Sequence, residues 1–542
     1  MSDSTGSQND QDKLLEELEE VYETDYELGQ DNVTWLGLDL HNPVFVVSSV
    51  LILLFVILSL IFPEQSNSML GSTRVWIGDT FDWMFLSAGN FFVLFCLALI
   101  LLPVGSIRLG GDDAKPEFSL MSWFAMLFAA GMGIGLMFWS VAEPVGYFTE
   151  WFGTPLNIAG GTEESRSAAL GATMYHWGLH PWAIYGVVAL ALAFFSYNKG
   201  LPLTIRSCFY PLLGDRVWGW MGDVIDTLAV VATIFGLATS LGLGAQQAAG
   251  GIDFLFGIPS GLLSQTLIIA GVTTVALISV LRGIDGGVKL LSNLNMLLAL
   301  ALLVFVMVAG GLMSFFSNLG QTAGGYVEYL LPLSNPVGRE DDVFYHSWTI
   351  FFWAWWIAWS PFVGMFIARV SYGRSIRQFL TAVLIVPVVV STVWMSAFGG
   401  NGLDQAAAGV GALGESGITD SSLALFQMLQ ELPMTSITSF LAIVLVLVFF
   451  ITSSDSGSLV IDSITSGGKI DAPVPQRVFW VLIEGAIAAV LLAVGGAAAL
   501  NALQAGSVST GLPFAIVLLF MCVSLIKGLA HEQALRRVQG KV

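Results

Sequence analysis

"TIFFWAWWIAWSPF", residues 349–362, places four tryptophans within seven positions of one apolar run: Trp353, Trp355, Trp356 and Trp359. At 100° per residue, Trp355, Trp356 and Trp359 fall within an arc of roughly 100°, and Trp353 widens that arc to about 160°. The stretch predicts a membrane-spanning helix with one aromatic face. Trp348, at the outer end, fits an interfacial belt, but Trp355 to Trp359 lie one to two turns inside the span.

The composition of the whole chain agrees with this interpretation. Its 542 residues are 55% hydrophobic and 11% charged, and its mean hydropathy is +0.77. We predict an all-α polytopic membrane protein with twelve transmembrane helices. The apolar runs of spanning length lie near 44–62, 84–104, 119–142, 168–196, 223–250, 260–281, 288–316, 347–368, 378–399, 437–454, 478–500 and 507–527.

The basic residues predict the orientation, because positive charge stays on the cytoplasmic side of a membrane. With the N-terminus inside, seventeen of the 20 Lys and Arg residues fall in inner loops or tails. Only Arg74, Arg166 and Arg339 remain outside. We therefore expect both termini to be cytoplasmic, in a multi-pass protein of the plasma membrane.

The chain divides into two tails and one membrane domain. Residues 1–42 hold twelve Asp or Glu and one Lys, which predicts an acidic, disordered tail. Residues 43–530 form the twelve-helix domain, and residues 531–542 form a short second tail. The net charge of −20 argues against nucleic acid as a partner. The three scattered cysteines do not indicate a disulfide framework.

Two spans carry residues that weaken a helix. The third contains "AAGMGIGLMFW", with alternating Gly131, Gly133 and Gly135, and the eighth contains "WSPFVG", with Pro361 and Gly364. Transporters bind solutes near the bilayer midplane where such interruptions free backbone groups. Each interruption would open a five-helix repeat, at about 119–317 and 347–528. Close helix packing through small residues is the alternative explanation of these glycines.

A second aromatic group occurs on the fourth span, in "YHWGLHPWAIYG". Its Trp177, Trp182 and Tyr185 fall within about 140° of one another on a helical wheel. Two aromatic faces in one bundle would form a box for a quaternary ammonium, which needs no hydrogen-bond acceptor. The middles of the spans hold almost no charged residues, and free amides near Gly131 and Gly135 would receive a carboxylate. The two features together indicate a zwitterion, although packing in the core is the better explanation of any single tryptophan taken alone.

"GMGIGLMFWSVAEP", "HWGLHPWAIYG", "FFWAWWIAWSPFVGMFIARVSYGR" and "FFITSSDSGS" together resemble the betaine/carnitine/choline transporter family, from about residue 40 to 530. The resemblance implies a LeuT-type fold, in which two inverted five-helix repeats follow two leading helices, and a homotrimer in the lipid bilayer. It places the ammonium in a box of Trp177, Trp182, Tyr185 and Trp356, with Trp359 on the path. The carboxylate would face Ala130, Gly131, Gly133, Ile134, Gly135 and Ser240.

The resemblance also implies sodium as the coupling ion, with no other cofactor. The implied ligands are the carbonyls of Ala129, Met132 and Phe449 and the hydroxyls of Thr452 and Ser453. A second sodium site in the family uses two threonines on the fifth span. Here Thr233 matches one of them and Leu237 replaces the other, which leaves the sodium stoichiometry open.

Other polar residues have alternative explanations. His176 and His180 are four apart on a helix and could in principle ligate a metal, but no carboxylate or third histidine accompanies them, so packing or pore lining explains them better. "TSSDSGS" places serines beside Asp455, yet no histidine base is near in sequence, so we do not expect an enzyme. A channel needs weak, repeated sites, unlike one narrow box.

The expected function is sodium-coupled import of glycine betaine for osmoprotection, with a choline or carnitine transporter or exchanger as the alternative. Gly135 favours betaine, because choline-selective relatives tend to carry an aspartate at this position. We expect the acidic N-terminal tail to be solvated and to have no regulatory part; the alternative is a contact between this tail and a basic inner loop such as "RVSYGR", where Arg369 and Arg374 lie. Salt would weaken that contact.

Overall fold

The computed structural model describes residues 13, 15–131, 133–282, 288–469 and 471–541. Helices dominate these residues, as the sequence predicts. The long helices, numbered in chain order, are α1 Val44–Ile61, α2 Pro63–Leu101, α3 Leu120–Gly131, α4 Ile134–Phe148, α5 Glu163–Trp177, α6 Leu179–Tyr197, α7 Trp220–Phe256, α8 Leu262–Arg282, α9 Val288–Ala309, α10 Leu312–Ser334, α11 Ile350–Arg369, α12 Ile376–Ala408, α13 Thr435–Thr465, α14 Val474–Gly495 and α15 Ala499–Val538.

Shorter elements join the long helices. Tyr345–Thr349 forms a π-helical turn that leads into α11. Two strands, β1 Asn32–Trp35 and β2 Leu38–His41, pair as an antiparallel hairpin. The remaining short helices are Glu20–Tyr22, Pro103–Ser106, Pro155–Asn157, Arg206–Phe209, Tyr210–Leu213, Gly214–Trp218, Asp342–Phe344, Gly411–Ser416, Ala424–Gln430 and Gly496–Ala498.

Each of the twelve apolar runs coincides with a helix or a broken helix. Within the described residues, ten helical segments are long and apolar enough to span a membrane, with α5 and α6 counted together. An eleventh candidate is the pair α9 and α10, which is bent by 106°. The remaining run, 119–142, is the pair α3 and α4. The predicted run 288–316 is too long, because α9 ends at Ala309 and the chain turns there.

The helix breaks agree with the prediction at one place and differ at two. The third run breaks between Gly131 and Ile134, where Gly133 has extended backbone angles (φ −167°, ψ −176°). The predicted break at Pro361 is wrong, since α11 continues through it. Gly364 serves close packing instead, because a Cβ there would lie 2.6 Å from Val188 of α6. The fourth run breaks at Gly178, which the sequence analysis did not predict.

The N-terminal segment is packed against the bundle, so the prediction of a disordered tail fails for residues 15–41. Tyr22 is buried, and its ring centroid lies 5.0 Å from that of His531 on α15. The hairpin is held by Asp39, which forms an ion pair with Lys469. Asn32 donates a hydrogen bond to the Ser466 carbonyl. These contacts give the segment partners in the bundle, whereas its charge alone predicts that it stays in water.

Among residues 15–41, no hydrogen bond or ion pair reaches the alternative partner of this segment, the loop "RVSYGR". Arg374 lies over the Trp123 ring and donates to the Phe118 carbonyl. The segment contacts the loop around Lys469, the last turns of α15 and the stretch between α6 and α7. Residues 531–538 belong to α15, so the predicted second tail begins as helix.

Candidate functional site

A cavity of about 230 Å³ lies where α4, α6, α7, α11 and α13 meet. The broken ends of two helices reach it, α4 with its first turn and α5 with its last residue. Most residues predicted for the site line it: Trp177, Trp182, Tyr185, Trp356, Trp359, Gly133, Ile134, Gly135, Ser240, Phe449, Thr452 and Ser453. Tertiary packing therefore brings together residues that lie up to 320 positions apart in the sequence.

Four of the predicted aromatic residues form an open box. The ring centroids of Trp177 and Trp356 lie 4.9 Å apart with the planes at 74°. Tyr185 lies 6.3 Å from Trp356 at 79°, and Trp182 lies 5.4 Å from Tyr185 at 80°. Since neighbouring rings stand nearly perpendicular, they form walls and not a stack.

The break before α4 turns a helix N-terminus toward this box. The first hydrogen bond of α4 runs from the Met137 amide to the Gly133 carbonyl, at 3.4 Å. The amides of Ile134, Gly135 and Leu136 therefore precede the helical ladder, and all three residues line the cavity. Gly135 also lies against the Trp177 ring. A positive helix end and an aromatic wall thus meet at one point.

The tryptophans of α11 have different surroundings. The indoles of Trp355 and Trp359 both donate to the Gly236 carbonyl of α7, at 3.2 and 2.8 Å. The Ser240 hydroxyl donates to the same carbonyl at 3.3 Å. The Trp356 indole donates to the His176 carbonyl of α5 at 3.0 Å. Three of the four tryptophans of α11 therefore tie this helix to the elements that complete the cavity. The sequence did not reveal Gly236 as the acceptor for Trp355 and Trp359.

Trp353 and Trp348 lie outside the cavity. Trp353 is fully buried and stacks on His180, with centroids 5.0 Å apart. Trp348 is also buried, and its indole donates to the Phe152 carbonyl at 3.1 Å. Its assignment to an interfacial belt is wrong, because Trp139 and Tyr147 cover its ring.

A buried carboxylate lies behind the box, where the sequence analysis expected almost no charge. Glu143 of α4 is fully buried, and its Oε2 accepts the Trp177 indole N–H at 2.7 Å. Its Oε1 accepts the Tyr147 hydroxyl at 2.9 Å and lies 2.6 Å from Nδ1 of His176. A lone acidic residue inside an apolar run is a functional signal in membrane proteins. Glu143 in "GMGIGLMFWSVAEP" directly follows the predicted run 119–142 and lies inside α4, so it carried that signal and was missed.

The histidine pair does not converge on a metal. His176 contacts Glu143 and Thr349, whereas Nε2 of His180 contacts Asn90 at 3.0 Å. Across the described ranges, the structure contains no group of three or more His, Cys, Asp or Glu side chains suited to a metal ion. The packing explanation of the pair fits these contacts.

The serines around Asp455 do not form a hydrolase site. The Ser279 hydroxyl of α8 donates to Asp455 at 2.7 Å, and the Ser454 hydroxyl donates to Glu484 of α14 at 3.0 Å. These hydroxyl groups hold carboxylates between helices, and no histidine takes part in these contacts. The geometry gives no activated nucleophile.

The sequence model of the betaine/carnitine/choline family of transporters matches residues 43–534 of the chain. The chain belongs to this family. Glycine betaine transporter 1 of Vibrio parahaemolyticus is 61% identical over 514 residues, which cover 94% of this chain and 98% of that protein. A glycine betaine/proline/choline/ectoine transporter of the same organism is 59% identical over 513 residues, covering 94% and 91%. The glycine betaine transporter OpuD of Bacillus subtilis is 43% identical over 484 residues, covering 88% and 92%.

Membership in this transporter family confirms the resemblance found in the sequence and makes the chain a transporter and not an enzyme. The relatives align along nearly their whole lengths, so the aromatic cavity lies within the shared region. Their names support transport of betaine-type solutes.

The structure describes four of the five residues predicted to bind sodium in this transporter. Phe449, Thr452 and Ser453 line the cavity from α13, and the Thr452 hydroxyl donates to the Val448 and Phe449 carbonyls at 3.0 and 3.2 Å. Ala129 lies in the last turn of α3, with Ala130 and Gly131 beside it. Met132 lies outside the described residues.

The second sodium site of the family uses two threonine hydroxyls on the fifth span, and this chain has one of them. Thr233 of α7 is buried and donates to the Ala229 carbonyl at 2.7 Å. Leu237 is buried one turn later, where a Cβ at Gly457 would meet its side chain. The surroundings of Leu237 are apolar packing.

Proposed function

We propose that this transporter imports glycine betaine, or a closely related zwitterion with a methylated ammonium, by symport with Na⁺ and thereby protects the cell against osmotic stress. It would do so in the plasma membrane with both termini cytoplasmic, as a homotrimer. The proposal rests on the cavity, on the family and on the names of the relatives.

The observation that carries the proposal is the contact between Gly135 and the Trp177 ring. The free amides at the start of α4 offer an anion site, and the box offers aromatic faces to a cation. Because the two sites adjoin, a ligand whose charges are separated by one methylene would reach both. Glycine betaine has that spacing, whereas carnitine is longer and choline has no carboxylate.

The cavity wall also favours a zwitterion over a simple cation. Among the described residues that line it, none is an Asp, Glu, Lys or Arg. A simple amine would lose its hydration there without a hydrogen-bonded counter-ion, at a cost of several kcal/mol. A quaternary ammonium is weakly hydrated and loses less. The uncharged Gly135 leaves the anion site free for the ligand's carboxylate.

Sodium coupling rests on the oxygen-rich wall of α13 beside the α3–α4 break. Sodium takes hard oxygen ligands, and Thr452, Ser453 and the Phe449 carbonyl would supply three of them. The carbonyls of Ala129 and Met132 would complete the set. An ion held there would link the break before α4 to α13, so solute and ion would favour the same conformation.

Uptake of labelled glycine betaine into proteoliposomes, with and without an inward sodium gradient, tests this proposal. We expect saturable uptake that needs the gradient and that excess unlabelled glycine betaine abolishes. Equal uptake without sodium would contradict symport. Choline, carnitine, proline and ectoine serve as competitors, since one relative is named for three of them. Stronger competition by choline or carnitine than by glycine betaine would favour the alternative substrate.

A further inference from the structure

The aromatic box is supported from behind by one side chain that never reaches the cavity. Glu143 is absent from the cavity lining, and its side chain is fully buried in α4. Its carboxylate bonds directly to the indole of Trp177, and it contacts His176, whose carbonyl accepts the indole of Trp356. Glu143 therefore supports two walls of the box: it holds Trp177 directly and Trp356 through His176.

An ionised Glu143 would find a hydrogen-bond donor for each of its two oxygens. An indole N–H only donates, and the Tyr147 hydroxyl donates to the other oxygen. His176 completes the set, with Nδ1 toward Glu143 and Nε2 toward the Thr349 hydroxyl. The distances of 2.6 and 2.7 Å are typical of charge-assisted hydrogen bonds. Each carboxylate oxygen thus has at least one donor.

A negative charge at the edge of the Trp177 indole has two consequences for a cation on its face. It polarises the N–H bond and enriches the ring in electron density, which strengthens a cation–π contact. It also attracts the cation through a medium of low dielectric constant. Because the ring separates the two charges, the carboxylate gives no hydrogen bond to a simple amine, and selectivity for a methylated ammonium is kept.

We propose that Glu143 is a positioning residue of the box: it fixes the Trp177 indole and supplies the negative charge that a bound quaternary ammonium feels through that ring. This inference rests on the proposed function, since it assumes a betaine-type ligand in the cavity.

The test compares a zwitterion with an isosteric anion that lacks the positive charge. Glycine betaine and 3,3-dimethylbutanoate have the same shape and carboxylate, but the second has carbon in place of the charged nitrogen. Both are titrated into purified full-length protein with sodium present, and tryptophan fluorescence reports binding. The variant Glu143→Gln keeps the size and polarity of the side chain and removes its charge. Glu484→Gln is the matched control, because Glu484 of α14 is equally buried and does not line the cavity.

We expect Glu143→Gln to weaken glycine betaine binding about tenfold and to leave the affinity for 3,3-dimethylbutanoate within about twofold of wild type. Glu484→Gln is expected to retain the wild-type preference for glycine betaine over 3,3-dimethylbutanoate. Equal losses for both ligands in Glu143→Gln would mean structural damage and would overturn the inference, as would unchanged betaine binding. If wild-type protein binds no glycine betaine, the proposed function fails, and the inference fails with it.

A second variant decides the matter if Glu143→Gln does not fold. Glu143→Asp shortens the side chain and keeps its charge, so it should weaken binding of both ligands through poorer positioning. Its ratio of betaine to isostere affinity should stay within about threefold of wild type, because the charge remains. A ratio near one in a folded Glu143→Asp protein would overturn the inference.

Discussion

A Cβ atom built on Gly135 lies 2.7 Å from Cη2 of Trp177. This is closer than van der Waals contact, so any side chain at position 135 must displace the ring that forms one wall of the box. The relationship couples the backbone of α4 to the last residue of α5 and gives the first prediction.

Gly135→Ala should reduce betaine affinity at least tenfold, because the methyl group displaces Trp177 or Trp355. Gly133→Ala is the matched control from the same motif: nothing lies within 4 Å of its Cβ position, and its φ of −167° suits any residue. Binding measured on both purified variants checks the prediction. Similar losses in both would show that the break needs glycine as such, independently of the box.

Trp356→Leu should weaken betaine binding by about 1–2 kcal/mol, or about 5- to 30-fold, since leucine is apolar but has no aromatic face. Trp220→Leu is the control, because Trp220 is 70% exposed at the start of α7. Trp348→Leu is unsuitable for this purpose, since Trp348 is buried and its loss would destabilise the fold. Equal losses at positions 356 and 220 would assign the effect to folding.

Ser453→Ala should raise the sodium concentration needed for half-maximal uptake several-fold, with a smaller effect on the maximal rate, if Ser453 is a ligand. The neighbouring Ser454→Ala is the control, because the Ser454 hydroxyl donates to Glu484 and does not line the cavity. Uptake is measured across a sodium series in proteoliposomes. An unchanged sodium dependence for Ser453→Ala would remove this residue from the proposed site.

The hairpin should detach from the bundle in acid. Burial alone would raise the pKa of Asp39, but hydrogen bonds from Lys469 and Asn32 and the charge of Lys469 outweigh it, so its pKa lies below its usual value of 3.8. The contact therefore stabilises the docked hairpin above about pH 4 and loses this contribution as pH falls through the lowered pKa. Hydrogen exchange of residues 32–41, corrected for the intrinsic pH dependence of exchange, should show the loss of protection.

Asp39→Asn is the control for that experiment. The variant should already exchange faster at pH 7 and should show little further change down to pH 3. Because both side chains are partly exposed, salt should also reduce protection in the wild type. A wild-type hairpin that is no better protected at pH 7 than that of Asp39→Asn would contradict the role given to this ion pair.

Several features of the transporter could be predicted from the sequence because they depend on local composition. Spans of apolar residues must form helices in a bilayer, where every backbone group needs a partner. The alternating glycines at 131, 133 and 135 weaken one such helix at a definite place. The aromatic residues on the fourth and eighth spans predicted a box, and the cavity contains all five of those assigned to it or to its path.

Other features depend on which surfaces meet, and the sequence could not reveal them. Pro361 predicted a break, yet α11 stays continuous because packing against α6 and α7 supports it. Trp348 was expected at the membrane interface and lies inside an aromatic cluster. The N-terminal segment looked too charged to pack, but Lys469 and the end of α15 supply partners that its own sequence lacks.

The sequence by itself determined a twelve-span transporter with an aromatic, uncharged cavity, since hydrophobicity and residue type decide what a bilayer accepts. The tertiary structure alone decided that Glu143 bonds to Trp177, that Gly236 accepts two indoles, and that Gly135 touches the box. Such contacts join residues from different helices, and their geometry follows from how the helices pack and not from the order of residues along any one of them.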